Sequence, residues 1–126
     1  MSIRVLKNRT FARWAKDEQV TDADLCQAAH EIENGLVEAR LGGFLLKKRV
    51  ARANGGKSGG FRTIVAHRQG SRLFFIFGFA KSDQANITKD EKKGLIKIGD
   101  EYMALNDKKL ADLIKDKKIL EVNCNG

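Results

Sequence analysis

Eight consecutive apolar residues, 73–80 (Leu-Phe-Phe-Ile-Phe-Gly-Phe-Ala), set the tightest constraint on how this chain folds. The run falls well short of the roughly 20 apolar residues a membrane-crossing helix needs. As an extended strand it covers about 26 Å, with side chains alternating between two sides. Both sides of residues 72–80 are apolar, so this strand belongs inside a sheet with helices over at least one face. Gln69-Gly70-Ser71 joins it tightly to a strand-like run at 61–68, which makes the two an antiparallel hairpin.

The flanking segments supply the covering helices. Residues 3–6 read as a first strand. Thr10 is expected to cap a helix carrying Phe11, Trp14 and Ala15 on one face. Thr21 caps a second, with Leu25, Ala28, Ala29 and Ile32 inward and Gly35 near its end. Residues 44–52 read as another strand. Thr88-Lys89-Asp90-Glu91 is a capping box opening a helix with Leu95, Ile98, Tyr102 and Leu105 inward. Asp107 is expected to cap a short helix, and residues 119–122 to close with a strand. The expectation is an α+β fold of order β-α-α-β-β-β-α with a small antiparallel sheet and a C-terminal helical appendage. With 126 residues it forms one domain, 1–126, divided into a core at 1–105 and an extension at 106–126.

Charge is distributed unevenly. Residues 40–81 hold ten basic residues (Arg40, Lys47, Lys48, Arg49, Arg52, Lys57, Arg62, Arg68, Arg72, Lys81) and no Asp or Glu. The net charge of +8 therefore lies entirely in one third of the chain. A block without a carboxylate points to a phosphate-bearing partner, nucleic acid first; a solubilising face or an acidic protein partner is the alternative. Lys47 and Arg49 share one side of their strand by the period of two, and Arg62 can join them from the next. Lys81 follows the apolar strand in phase with Phe77 and Phe79. The other reading of Arg62 is a partly buried arginine bonded to backbone carbonyls.

Other motifs are excluded. The glycines at 55, 56, 59 and 60 around Lys57 resemble a phosphate-binding loop, but Ala51 stands where the first glycine belongs and a strand follows where a helix is required. Cys26 and Cys124 have no metal or redox spacing and are expected to remain thiols in a reducing cytoplasm. No signal peptide is expected, since residues 1–9 carry three basic residues and no apolar core follows. His67 near a strand end is a candidate acid or base, whereas His30 reads as a packing or surface residue. No metal or cofactor is expected.

Residues 45–52 (Leu-Leu-Lys-Lys-Arg-Val-Ala-Arg), the glycine-rich segment ending Phe61-Arg62, and Phe77-Gly78-Phe79-Ala80-Lys81 together resemble the RelE/HigB superfamily of bacterial type II toxins, most nearly its HigB-like branch, over about residues 3–105. The resemblance implies the RelE-like RNase toxin fold and a ribosome-dependent endoribonuclease, an mRNA interferase that arrests translation without a metal. It places catalytic roles on Arg62, Lys47, Arg49 and Lys81, and the other cations of the basic block, Lys48, Arg52, Lys57 and Arg68, are expected to contact RNA. Lys48 departs from the family, whose members often have an apolar residue there, so it must reach outward or lie on an edge strand. The implied partners are the ribosome with its mRNA and a small antitoxin of helix-turn-helix type, through which alone operator DNA is contacted. That antitoxin is expected over the cationic cleft or on the helical face at 10–16, with the grip on Phe11 and Trp14 preferred. Two other functions remain open: a non-catalytic nucleic-acid binder, and a toxin of the same fold acting on a protein such as gyrase.

Overall fold

The computed structural model describes residues 3–51 and 60–124. The elements follow in the order β1 (Arg4–Asn8), α1 (Arg9–Asp17), α2 (Asp22–Glu33), β2 (Ala39–Gly42), β3 (Leu45–Val50), β4 (Phe61–His67), β5 (Arg72–Ala80), α3 (Lys89–Ala104), α4 (Asp107–Lys115) and β6 (Ile119–Glu121). They form an α+β fold around one six-stranded sheet of order β2-β3-β4-β5-β1-β6.

The sheet is larger than expected and mixed, because β1 runs parallel to β5 while every other pair is antiparallel. As its composition requires, β5 lies inside the sheet, and Leu73, Phe74 and Phe75 are fully buried. Burial of each such side chain contributes about 1.5–3 kcal/mol. Helices cover both faces. One core gathers Phe11, Ala15, Leu25, Ile32, Leu46, Val65 and Phe75 beneath α1 and α2. The other gathers Leu45, Ile64, Ala66, Phe74, Leu95 and Leu110 beneath α3 and α4. Among the described residues no helix is long and apolar enough to cross a membrane.

β2 was not anticipated, since four residues ending in glycine show too little alternation to identify a strand. The segment after Leu105 is integral to the fold: β6 pairs with β1, and Leu110 and Ile119 are core residues. Two caps are displaced from their expected positions. Asn8, not Thr10, caps α1, because its backbone is still extended and its side chain accepts from the Phe11 N–H at 2.7 Å. Asn106 does the same for α4 in place of Asp107, accepting from Lys109. The capping boxes at Thr21/Asp24 and Thr88/Glu91 are both formed.

The pairing of β5 with β4 is interrupted by a bulge. Ile64 faces Phe77 while Val65 faces Phe75, so Ile76 is an extra residue. This bulge puts Phe74, Ile76, Phe77 and Phe79 on the α3 side and leaves Gly78 for the α1 side, where Trp14 lies so close that a Cβ would stand 2.3 Å from its ring. The Asn8 amide donates to the Ile76 carbonyl at 3.2 Å. Burial pushes the Tyr102 phenol above its usual value, and the nearby Asn8 amide partly offsets this.

The expectation of free thiols is overturned. Cys26 of α2 and Cys124 beyond β6 form a disulfide with Cα atoms 5.4 Å apart. Their 98-residue separation conceals a contact that arises only because the carbonyl of Val5 in β1 accepts from the Val122 N–H, holding the tail beside α2.

Candidate functional site

Alternation along β3 sorts the three adjacent cations. Leu46, Lys48 and Val50 face α2, and Leu45, Lys47 and Arg49 face the α3 side. The register then sets Arg49 opposite Arg62 and Arg62 opposite Phe79; one step along lies the row Lys47, Ile64, Phe77. α3 packs closely over the far end, where a Cβ on Gly99 would touch Leu45 and Ala66 at 3.4 Å. At the other end Arg49 is exposed and Arg62 partly so, which makes that end the open one. Lys81, exposed in the turn after β5, belongs to the same end, since Ala80 pairs with Phe61 next to Arg62. The four residues assigned catalytic roles thus come together.

The surroundings are not free of carboxylates. Glu38 donates its backbone N–H to the Lys47 carbonyl at 3.0 Å and sends its carboxylate to Arg62 Nε at 3.1 Å. Sequence reasoning missed Glu38; its only signal is being the last acid before the acid-free block. Arg62 is largely covered and gripped by a carboxylate, not by the backbone carbonyls of the alternative reading. The Arg49 side chain lies across Gly60, where a Cβ would stand 2.8 Å from Nε. Among the described residues, Lys47 and Lys81 form no ion pair.

Of the residues expected to contact RNA, the two that are described, Lys48 and Arg68, do not join this cluster. Lys48 is buried on the opposite face, its amine 2.8 Å from both Glu31 and the Leu36 carbonyl. It neither reaches outward nor sits on an edge, because β2 flanks β3. The bond from Lys48 is the main reason the Glu31 carboxyl is held below its usual range, with Gln27 adding a second. Arg68 lies beyond the far end of β4, six residues or about 20 Å from Arg62, and stacks over Phe44 at 5.1 Å. Arg52 and Lys57 lie outside the described residues. His67 is also removed from the cluster, since it faces α2 and pairs with Glu33. Arg72 anchors α4 through the Leu105 carbonyl at 2.6 Å and Asp107 at 3.1 Å.

The two aromatic residues of α1 differ: Phe11 is buried and Trp14 is half-buried. Phe11 is core, and Trp14 is wedged between Gly78 and the Phe61 ring, 5.2 Å away edge-on. Among the described residues, no group of His, Cys, Asp or Glu is placed to hold a metal.

A comparison with curated proteins finds no match to the chain. The model of a protein family, described as the RelE toxin of the RelE/RelB toxin-antitoxin system, matches residues 3–122. That span takes in every element from β1 to β6, including the C-terminal segment, and on it the chain belongs to the RelE toxin family.

Proposed function

We propose that this toxin is a ribosome-dependent endoribonuclease that cuts mRNA by attack of a ribose 2′-oxygen on the adjacent phosphate. The observation that carries this reading is the cross-strand pair Arg49–Arg62 on an open sheet end, with Lys47 and Lys81 beside it and Glu38 holding Arg62. Two cations directly opposite repel one another, and a phosphate relieves that repulsion.

The reaction needs the 2′-hydroxyl deprotonated, the phosphorane charge neutralised and the leaving 5′-oxygen protonated. Arg62 serves the phosphorane: its Nε is fixed by Glu38, and the guanidinium retains further donors for phosphate oxygens. Arg49 and Lys47 add positive potential along the strand. Glu38 is the acceptor nearest Arg62 for the 2′-hydroxyl proton. Protonation of the leaving group falls to Lys47 or Lys81, or to a group of the ribosome, which also orients the RNA. As a RelE-family toxin the protein has a cognate antitoxin; we take it to be a helix-turn-helix protein that masks this end of the sheet, since Phe11 is buried and only Trp14, half-buried against Gly78, remains for a grip on the helical face.

The test is cleavage of mRNA on purified ribosomes. The wild-type protein cuts; Arg62→Ala, losing one charge-stabilising donor, cuts about 100- to 1,000-fold more slowly while still unfolding cooperatively. Equal cutting by the variant, or none by the wild type, removes the reading.

A further inference from the structure

Of the glycines at positions 78, 94 and 99, only two have a packing reason. Gly78 makes room for Trp14, and Gly99 lets α3 close on Leu45 and Ala66. Gly94 sits in the middle of α3, where glycine is the poorest helix former after proline, yet a Cβ there would meet nothing within 4 Å. Its missing side chain leaves an open notch of about 200 Å³ lined by Phe77, Glu91, Leu95 and Ile98.

The position of this notch says what enters it. The Phe77 ring is partly exposed and lies 5.9 Å from the buried Phe79 ring. Phe77 shares its row with Lys47, and Phe79 is opposite Arg62, so an apolar, aromatic seat adjoins the cationic row. A strand with phosphates on the cations and a base to shelter has complementary chemistry at both points. At the rim, Glu91 uses Oε1 for the Thr88 N–H at 2.8 Å and the Gln84 amide at 3.4 Å. Among the described residues nothing bonds Oε2, and that atom can accept from an amino group. We infer that the Gly94 notch seats one unstacked nucleobase beside the cut phosphate and favours bases bearing an amino group over uracil. The inference rests on the endoribonuclease reading of the cationic cluster.

The experiment measures toxin binding to ribosomes programmed with mRNA whose attacking ribose is 2′-O-methylated. Each base in turn, or an abasic residue, occupies the positions adjoining that phosphate. The wild type is expected to bind cytosine, adenine or guanine about tenfold more tightly than the abasic form at one of these positions, within the range of base–aromatic stacking. Gly94→Leu, which fills the notch, should reduce that ratio to within about twofold while melting no lower than wild type. Should Gly94→Leu fail to fold, Phe77→Leu is judged by the same ratio. A ratio unchanged in the variant, or absent in the wild type, overturns the inference. Loss of antitoxin binding alone, with base dependence intact, assigns the notch to a protein side chain and overturns it as well. Cleavage of unmethylated mRNA separates the two readings: if the wild type cuts, only the base seat has failed, and if it does not, the endoribonuclease reading has failed first.

Discussion

On one face of β3, Lys48 is sealed beneath α2 with its amine shared between Glu31 and the Leu36 carbonyl; on the other, its neighbours Lys47 and Arg49 stand toward the uncovered end of the sheet. Three successive basic residues thus have two different occupations. The α2 side matches Lys48 with Glu31 from a helix, and gives the His67 ring a hydrogen-bond partner in Glu33 of the same helix. The α3 side leaves Lys47 without an acid among the described residues and gives Arg62 a single carboxylate from outside the acid-free block. A charged group enclosed by protein must be matched there, whereas one facing solvent can be reserved for a ligand.

If the contrast is real, damage to the closed face lowers stability and spares cleavage, and damage to the open face does the reverse. The largest stability effect is expected at the disulfide. Cys26→Ser should lower unfolding free energy by about 2–4 kcal/mol, because the bond closes most of the chain into one loop. Denaturant unfolding with and without reductant measures it, and an equal loss on reducing the wild type ties the effect to the bond. Next comes Gly78→Ala, which drives a methyl into the Trp14 ring and should cost about 1–3 kcal/mol; a thermal melt checks this.

The sharpest comparison uses adjacent lysines. Lys48→Ala should lose about 1–3 kcal/mol, chiefly by removing the partner of a partly buried carboxylate. Lys47→Ala should stay within about 0.5 kcal/mol of wild type. It should nevertheless reduce the dependence of log affinity for RNA on log salt by roughly 0.7. Affinity titrations at several salt concentrations, run with melts of both variants, decide this; a reduced slope for Lys48→Ala as well would erase the distinction.

The smallest effect is on pH. The Glu31 carboxyl is held below its usual value in the folded protein, chiefly by Lys48. Its contribution is therefore complete above the ordinary carboxylate range and is lost as pH falls through the folded value. Stability of Glu31→Gln relative to wild type, followed from neutral pH downward, should show a gap that closes in acid.

The elements with strong local signals were legible in the sequence. The apolar run became an interior strand, both capping boxes formed, and the hairpin turn closed through Gly70 with φ +74°. The period of two also placed Lys47, Arg49 and Arg62 on one side. What remained hidden depends on distance in the chain. Glu38, Glu31 and Asp107 all come from segments flanking the basic block, so a count along the sequence read as uncompensated a charge that is partly compensated in space. The Cys26–Cys124 bond has the same origin. Lys48 departed from expectation because alternation assigns a face but does not reveal which partner waits there.

The side chain of Asn8 connects parts of the molecule that the sheet otherwise separates. It starts α1 on one face, steadies the carbonyl of the extra residue in β5, and touches Tyr102 of α3 on the other. One primary amide thus works as a rivet through the sheet at the strand that carries Phe77. Exchanging its nitrogen for oxygen, as in Asn8→Asp, would keep the helix start and set a carboxylate oxygen against the Ile76 carbonyl, so β5 would lose its tie to the start of α1 while the Tyr102 hydroxyl could still donate to the new oxygen.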